Sequence, residues 1–236
     1  MYKEKLKIPP YAGDVNAKIA LGQLFDYLIN IGSLHVESIG LPTEKLLEKN
    51  ISWMVYQVLI KIKDLPKIDT DLTISTWVSK IDKLKIYRQV NVSDQEGRLL
   101  IESCFIWLLV DIEKMRVIRP IKEVKDLVEE NDQSLYPDFR NFRSMEAFDK
   151  KTSMPVHKSD IDYNKHVHSA TYLRWVTDLV DIDNDKLREV ELYFKDQVFK
   201  EDKVDILQKK DGQRYDFQIN KNDSEGVFAS CLFERD

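Results

Sequence analysis

Residues 20–36 read ALGQLFDYLINIGSLHV, and their apolar side chains recur at steps of three and four residues. This spacing is typical of an amphipathic helix that buries one face. Gly40 and Pro42 follow and predict the end of the helix. Four runs rich in β-branched and aromatic residues come next, at 53–63, 72–78, 84–93 and 99–111. One helix followed by strands with hairpin turns between them predicts an α+β unit.

The same order of elements returns in the second half of the chain. Residues 154–156 predict a short strand and residues 169–179 (SATYLRWVTDL) a helix, before strands at 190–198, 204–208, 215–221 and 227–233. Between the halves, residues 121–130 predict some helix within a charged connector. We therefore expect two similar α+β domains, residues 1–130 and 153–236, joined by a linker of residues 131–152.

Composition and charge exclude several classes of protein. The chain has 236 residues, of which 43% are hydrophobic and 33% charged, as in soluble globular proteins. The longest apolar run, residues 104–110, is too short for a membrane span, which needs ~20 residues. The first residues, MYKEK, resemble no targeting segment, so we expect a cytoplasmic protein. The net charge of −5 argues against nucleic acid as a partner.

Sequence motifs narrow the chemistry further. The chain contains no G-x-G-x-x-G, no P-loop and no G-x-S-x-G motif, which disfavours nucleotide-binding folds and α/β-hydrolases. Cys104 and Cys231 lie in apolar surroundings without C-x-x-C spacing. We expect both to be buried, reduced and structural, because a nucleophilic thiol would need a nearby base.

Residues 156–169, VHKSDIDYNKHVHS, are the candidate site. Asp162, Asn164 and His166 alternate, so an extended segment would project all three to one face. Ser169 predicts the N-cap of the following helix, whose start would offer free N–H groups to a developing oxyanion. The residues expected at this helix N-terminus are Val167, His168 and Ser169.

A carboxylate, an amide and an imidazole beside a helix N-terminus suit attack of water on an acyl carbonyl. A thioester fits well because its leaving thiol has a pKa near ~8.5 and needs little help from an acid. The alternative interpretation is a polar turn that leads into a capped helix.

Metal sites fit this stretch less well. A calcium loop that starts at Asp162 would need Gly and Glu where Val167 and Leu173 stand. The spacing of His157, His166 and His168 matches no standard zinc site. We therefore expect neither a metal nor a cofactor.

Residues 159–167, SDIDYNKHV, followed by YLRW at 172–175, resemble the D-x-N-x-H-V…Y-x-x-W signature of bacterial-type acyl-acyl carrier protein (acyl-ACP) thioesterases. Residues Trp53, Thr76, Trp77, Arg88 and Gly97 occur in the order of that family's first half. The resemblance runs from about residue 20 to the C-terminus. It implies an α+β tandem hotdog fold, in which each half wraps an antiparallel sheet around a long helix. It also implies hydrolysis of fatty acyl-ACP.

The resemblance assigns Asp162, Asn164 and His166 to the catalytic loop. The catalytic Glu of the family aligns with Gln197, which we expect on a strand with Asp196 on the opposite face. A glutamine can orient water but cannot accept a proton at neutral pH. We therefore expect Gln197 to position the water and His166 to take its proton. The family commonly has V-N-N where this chain has Val-His-Ser at 167–169.

The implied partner is an acidic acyl carrier protein, which would dock on a basic cluster. The candidates are residues 80, 83, 85 and 88, or residues 116, 119, 122 and 125. We expect the N-terminal domain to hold the acyl chain, and a monomer and a homodimer are both compatible with the sequence. An acyl-CoA thioesterase, a hotdog dehydratase and a non-catalytic acyl-binding protein are the alternative functions.

Overall fold

A computed structural model describes residues 1–129 and 131–234. The chain divides into two compact units, which we call unit 1 (Met1–Asp138) and unit 2 (Phe139–Asp236). The predicted helix 121–130 and the predicted domain 153–236 end on residues outside the described part, at Glu130 and at residues 235–236. The domain limits themselves stay a prediction.

Unit 1 is an antiparallel sheet with one long helix. Its strands are β1 (Tyr2–Lys7), β2 (Ile51–Ile62), β3 (Asp71–Asp82), β4 (Lys85–Ser93), β5 (Leu99–Asp111) and β6 (Arg116–Ile118). Its helices are α1 (Leu21–Ser38), α2 (Thr43–Leu47) and α3 (Lys122–Lys125). The strands lie in the order β1-β3-β4-β5-β2, with β6 beside β5. Strands β2 and β3 are thus separated by two others.

The long helix of unit 1 forms because its apolar stripe packs on the sheet. Leu24, Phe25 and Leu28 are buried along α1, and the Phe25 ring lies 5.9 Å from that of Phe105 on β5. Each such buried side chain contributes about 1.5–3 kcal/mol. The chain leaves the helix at Gly40, whose φ of +79° is a conformation that favours glycine.

A buried arginine contacts the inner face of α1. Arg88 on β4 is 4% exposed, and its Nη1 donates to Thr76 Oγ1 and lies 3.0 Å from His35 Nδ1. Burial and the Arg88 charge lower the pKa of His35 to about 4, so the imidazole is neutral and accepts. A Cβ at Gly32 would lie 3.3 Å from the Arg88 side chain. Arg88 therefore cannot belong to the basic docking cluster predicted at 80–88.

Unit 2 repeats the arrangement with a shorter helix. Its strands are β7 (Lys150–Pro155), β8 (Leu187–Phe194), β9 (Lys203–Asp211), β10 (Arg214–Lys221) and β11 (Ser224–Phe233), in the order β8-β11-β10-β9-β7. The helix α4 (Ser169–Thr177) has 9 residues, against 18 in α1. Tyr172, Leu173 and Val176 are buried along it.

The predicted α+β tandem hotdog fold is confirmed. The sequence patterns missed β1, β6 and α2, and α3 is shorter than the predicted helix. The predicted strand 190–198 ends at Phe194, so Gln197 lies beyond β8 rather than on it. In the described part of the chain, no helix combines the length and the apolar character of a membrane span.

The connector between the units is held against each sheet by side chains. In unit 1 the buried Gln89 amide donates to Leu135 O at 3.0 Å and accepts from Leu135 N at 2.9 Å. In unit 2 the buried carboxylate of Glu191 accepts from Arg140 N at 2.8 Å. The Phe142 ring stacks on Tyr193, 6.2 Å between centroids. Side chains of the two sheets therefore fix the path of the connector by hydrogen bonds and by this ring contact.

We predict that Gln89→Ala lowers the free energy of unfolding by about 3 kcal/mol, since it removes the three hydrogen bonds that this buried amide makes with Leu135 N, Leu135 O and Ser79 Oγ. Urea unfolding measures the change. Gln95→Ala is the matched control, because that amide is exposed and donates only to Asp71 Oδ2. We expect its effect to stay below ~0.5 kcal/mol. Equal effects of the two variants would contradict this role for Gln89.

Candidate active site

The segment that precedes α4 is a tight turn rather than an extended strand. Asp162 N donates to His166 O at 3.0 Å, and Ile161 and Val167 form an isolated bridge. Lys165 has a φ of +68°, which lets the chain reverse direction. We call residues 161–168 the candidate loop. The expected alternation of side chains is wrong, and the polar-turn interpretation describes the backbone correctly.

The Asp162 carboxylate organises this loop. Its Oδ1 accepts from Asn164 N at 2.8 Å, which makes an Asx turn. Its Oδ2 lies 3.8 Å from His166 Nδ1 and 3.7 Å from His168 Nδ1. The Asp162 side chain is 14% exposed, whereas that of His168 is 41% exposed. One half-buried carboxylate thus faces two imidazoles, although the backbone is not extended.

Asn164 and His166 are held differently. Asn164 is exposed and its Nδ2 lies 3.4 Å from Asp162 Oδ2, so it supports the turn. The His166 side chain is 23% exposed, and its Nδ1 lies 3.3 Å from Val167 O. A carbonyl only accepts, so the His166 proton resides on Nδ1 and the lone pair on Nε2.

The start of α4 differs from the prediction by one residue. His168 occupies the N-cap with no side-chain cap, and Ser169 is the first helical residue. The N–H of Val167 donates to Val198 O and that of His168 donates to Asp160 O, both at 2.8 Å. These two groups are therefore not available to an oxyanion. The N–H groups of Ser169 and Ala170 have no backbone acceptor in the described chain.

Two further residues, which sequence reasoning did not single out, hold the loop at its ends. The buried Asp160 carboxylate accepts from His157 N at 2.8 Å and lies 3.4 Å from Arg174 Nη2 on α4. The buried Tyr172 phenol oxygen accepts a hydrogen bond from the backbone N–H of Val198, and burial raises its pKa. Tyr172 was visible only as part of the Y-x-x-W motif.

Gln197 lies on the segment that faces the loop, residues 195–202. Its backbone N donates to Asp196 Oδ1 at 2.8 Å, and Lys221 Nζ lies 2.8 Å from Asp196 Oδ2. The side-chain amide of Gln197 makes no hydrogen bond with any residue that the structure describes. The Val167–Val198 hydrogen bond and the His166–Phe199 bridge join this segment to the loop.

Unit 1 contains a second copy of this loop before α1. Asp14 N donates to Lys18 O at 2.7 Å, Asp14 Oδ1 accepts from Asn16 N at 2.9 Å, and Ala17 has a φ of +55°. Ile19 N donates to Pro66 O at 2.9 Å, and Lys18 forms a bridge with Lys67. Each of these features matches one of the candidate loop.

The unit 1 copy has the same turn but different side chains at the positions of the candidate catalytic residues. Asp14 and Asn16 correspond to Asp162 and Asn164, so the D-x-N pair occurs in both loops. The residues that correspond to His166, His168 and Gln197 are Lys18, Ala20 and Leu65. Leu65 is 1% exposed and belongs to the core. The D-x-N-x-K spacing at 14–18, just before the predicted helix, was the signal that could have identified this copy.

Both thiols lie apart from the loop, as predicted. Burial raises the pKa of Cys104 and of Cys231 to about 12, so neither thiol ionises near neutral pH. Among the described residues, no group of three or more His, Cys, Asp or Glu side chains has the arrangement of a metal site.

Two families match consecutive parts of the chain. Residues 1–128 match the acyl-ACP thioesterase N-terminal domain, and residues 144–229 match the acyl-ACP thioesterase C-terminal domain. The oleoyl-acyl carrier protein thioesterase 2 of Arabidopsis thaliana chloroplasts is 22% identical over 231 residues, which cover 87% of this chain and 62% of that protein. The chloroplast palmitoyl-acyl carrier protein thioesterase of Gossypium hirsutum is 23% identical over 193 residues, 75% of this chain and 46% of the relative. The chain thus spans about half to three fifths of these relatives.

Solved structures share the fold over the whole chain. An acyl-ACP thioesterase from Bacteroides thetaiotaomicron superposes with a TM-score of 0.87 at 20% identity, covering 99% of this chain and 97% of that one. The 12:0-ACP thioesterase from Umbellularia californica gives a TM-score of 0.85 at 14% identity, covering 99% and 96%.

We predict that neither cysteine reacts with a thiol reagent at pH 8 in the native protein. With a pKa of about 12, only about one thiol in ten thousand is ionised at that pH. Two equivalents should react once the protein is unfolded in guanidinium. Rapid reaction of one equivalent in the native state would disprove the structural assignment.

We also predict that Asp14→Ala and Asp162→Ala each lower the free energy of unfolding by about 1 kcal/mol, because each removes the acceptor of an Asx turn. Asp14→Asn and Asp162→Asn are the matched controls, since asparagine retains the Oδ1 acceptor. Chemical denaturation of the four variants measures the changes. If the Asn variants lose as much stability as the Ala variants, the turn does not depend on this hydrogen bond.

Proposed function

The chain belongs to the acyl-ACP thioesterase family, and from this premise we propose that it hydrolyses fatty acyl-ACP to free fatty acid and carrier protein. One observation carries the proposal: Asp162 faces two imidazoles beside the unpaired N–H groups at the start of α4. The arrangement supplies a proton acceptor and an oxyanion site close together, which are the two groups that thioester hydrolysis requires.

The proposed site has four catalytic residues, Asp162, Asn164, His166 and Gln197. Asp162 and Asn164 build the turn, and the Asp162 charge favours imidazolium in the transition state. The Gln197 amide carbonyl orients the attacking water, and His166 accepts its proton because a carboxamide cannot.

The oxyanion belongs at the N-terminus of α4. Of the three residues proposed for it, Val167 and His168 donate their N–H groups to backbone carbonyls, whereas the N–H of Ser169 has no backbone acceptor among the residues that the structure describes. We therefore propose that Ser169 N–H, together with the next N–H of the helix, stabilises the tetrahedral intermediate. The partial positive charge of the helix N-terminus adds to these hydrogen bonds.

The proposal extends to the partner and to the division of labour between the units. The substrate carrier is an acidic acyl carrier protein, and the reaction takes place in the cytoplasm, where buried reduced thiols such as Cys104 are stable. Unit 2 carries the catalytic loop. Unit 1 holds the acyl chain.

A second candidate function is acyl binding without turnover. The observation that favours it is Gln197, which stands where a carboxylate would be the simplest base. Such a protein would bind a fatty acid or an acyl thioester and release no thiol. An acyl-CoA thioesterase would keep the proposed chemistry and change only the carrier.

We predict that the purified protein releases thiol from acyl-ACP faster than from acyl-CoA of the same chain length. His166→Ala and Gln197→Ala should each lower kcat by ~100-fold or more, because each removes a group that contacts the reacting atoms. A thiol-reactive dye follows the release. Lys18→Ala, at the position in unit 1 that corresponds to His166, is the matched control and should leave kcat unchanged.

Three other outcomes would change the proposal. A preference for acyl-CoA would replace the partner and keep the chemistry. Saturable binding of acyl chains without any thiol release would identify a binding protein. Full turnover by Gln197→Ala would remove that residue from the site.

A further inference from the structure

We propose that Lys221 is a positioning residue of the thioesterase site: its ammonium group fixes the peptide groups of Gln197, so that the carboxamide points at the attacking water. This role rests on the proposed function and involves unit 2 alone. It is supported by the contacts of Lys221, by the hydrogen bonds of the segment that carries Gln197, and by the internal copy in unit 1.

Lys221 contacts three residues of the segment 195–202. Its Nζ donates to Gln197 O at 2.5 Å and lies 2.8 Å from Asp196 Oδ2. The same nitrogen lies 5.4 Å from the centre of the Phe199 ring, within the range of a cation–π contact. The Lys221 side chain is only 15% exposed. Because hydrogen bonds made by a charged group are stronger than those between neutral groups, this ammonium group holds the segment firmly.

The residues on either side of position 197 are held by other parts of unit 2. Lys195 N and Asp196 N both donate to Gly226 O, at 3.0 and 2.9 Å. On the other side, Val198 N donates to the phenol oxygen of Tyr172, and Val198 O accepts from the candidate loop. The backbone is therefore anchored directly before and directly after position 197.

The peptide groups of Gln197 itself depend on Lys221. Gln197 O accepts from Lys221 Nζ, while Gln197 N donates to Asp196 Oδ1 at 2.8 Å. Lys221 also holds the other oxygen of that carboxylate. In the described part of the chain, Asp196 and Lys221 are the only side chains that bond the Gln197 backbone. Loss of the ammonium group would thus free the backbone of Gln197, on which the direction of its carboxamide depends.

Lys221 reaches this segment from a rigid element. It is the last residue of β10, where it pairs with Val204 on β9 and with Ser224 on β11. Ser224 Oγ also donates to Lys221 O at 2.9 Å. Groups on strands are placed more precisely than groups on loops, so Lys221 is suited to fix a neighbouring segment.

In unit 1 a different lysine holds the corresponding segment. Lys63 N and Asp64 N both donate to Leu100 O, at 2.8 and 3.4 Å, as the N–H groups of residues 195 and 196 do to one carbonyl in unit 2. Asp64 is therefore the counterpart of Asp196. Its Oδ1 lies 3.3 Å from Nζ of Lys18, which belongs to the loop before α1 and stands at the position of the catalytic-loop imidazole at 166.

The hairpin of unit 1 has an acid where Lys221 stands. The pairing of β10 with β11 shifts register after Ile219, and the pairing of β4 with β5 shifts register after Val92. Counted from these shifts, Asp94 is the counterpart of Lys221, and its Oδ1 accepts from Arg98 N. In unit 2 the lysine that holds the aspartate thus comes from the hairpin instead of the loop, which leaves the loop position to an imidazole.

Lys221→Met in the 236-residue chain is the first test. Methionine is similar in length to lysine and retains the apolar contact with Phe199, but it has no ammonium group. A displacement of ~1 Å in a reacting group can cost ~100-fold in rate, so we expect kcat for acyl-ACP hydrolysis to fall by ~10-fold or more. KM should stay within ~2-fold of the parent value, because the role concerns the attacking water and not the binding of substrate.

Lys195→Met is the matched control. Lys195 lies on the same segment, and its Nζ pairs with Glu225 Oε2. The variant removes one positive charge from this region and leaves the contacts of Lys221 in place, so kcat should stay at the parent value. Thermal unfolding of both variants checks that they fold.

A double-mutant cycle distinguishes positioning from a general effect on the fold. In the Gln197→Ala background, Lys221→Met should change kcat by less than ~2-fold, since the carboxamide that the ammonium group orients is already absent. A lysine that only stabilises the fold would lower kcat by the same factor in both backgrounds. Lys221→Ala provides the same cycle if Lys221→Met does not fold.

The results for the role of Lys221 and for the proposed function can be told apart. Turnover of Lys221→Met within ~2-fold of the parent protein would overturn the role of Lys221 and leave the thioesterase proposal intact. Losses that multiply in the double variant would also overturn it. Absence of thiol release by the parent protein from every acyl thioester would overturn the proposed function, and the role of Lys221 with it.

Discussion

The Asx turn before each central helix is the constraint on which both units depend. The chain has to reverse direction within a few residues and then enter the helix that its sheet surrounds. In both loops an Asp side chain accepts the N–H of the residue two positions later, and a residue with positive φ closes the turn. The N–H just after each turn donates to a carbonyl far along the chain: Ile19 N to Pro66 O in unit 1, and Val167 N to Val198 O in unit 2. These hydrogen bonds attach the start of each helix to its unit.

This shared backbone separates residues that build the loop from residues that perform chemistry. Asp and Asn recur in both loops and serve the turn. His166, His168 and Gln197 have no chemical equivalent in unit 1, where Lys, Ala and Leu stand at the matching positions. Asp162 belongs to both groups, since Oδ1 supports the turn and Oδ2 faces the two imidazoles. One carboxylate therefore both stabilises the turn and places a negative charge beside the imidazoles.

Sequence patterns predicted the fold well because each helix or strand that buries one face has a characteristic spacing of apolar residues. The strand expected at 99–111 agrees with β5 at both ends, and the stripe from Leu21 to Val36 lies within α1. The structure also brings Asp162, Asn164 and His166 together at one turn. What the patterns missed depends on distant partners. The strand expected to reach residue 198 ends at Phe194, and the N–H groups of Val167 and His168 are taken by carbonyls that local spacing cannot reveal.

The proton acceptor of the proposed reaction can be identified by elimination among the polar side chains of this site. Asp162 is committed to the turn through one oxygen and to two imidazoles through the other, so protonating it would weaken both functions. Gln197 has no proton-accepting nitrogen, and Asp196 is paired with Lys221. Only an imidazole of the candidate loop remains as a proton acceptor. Since the turn is already present in unit 1, the site of unit 2 differs from it by side chains rather than by a new backbone. The largest of these differences is at position 197, where a polar amide replaces the buried apolar side chain found at the matching position of unit 1.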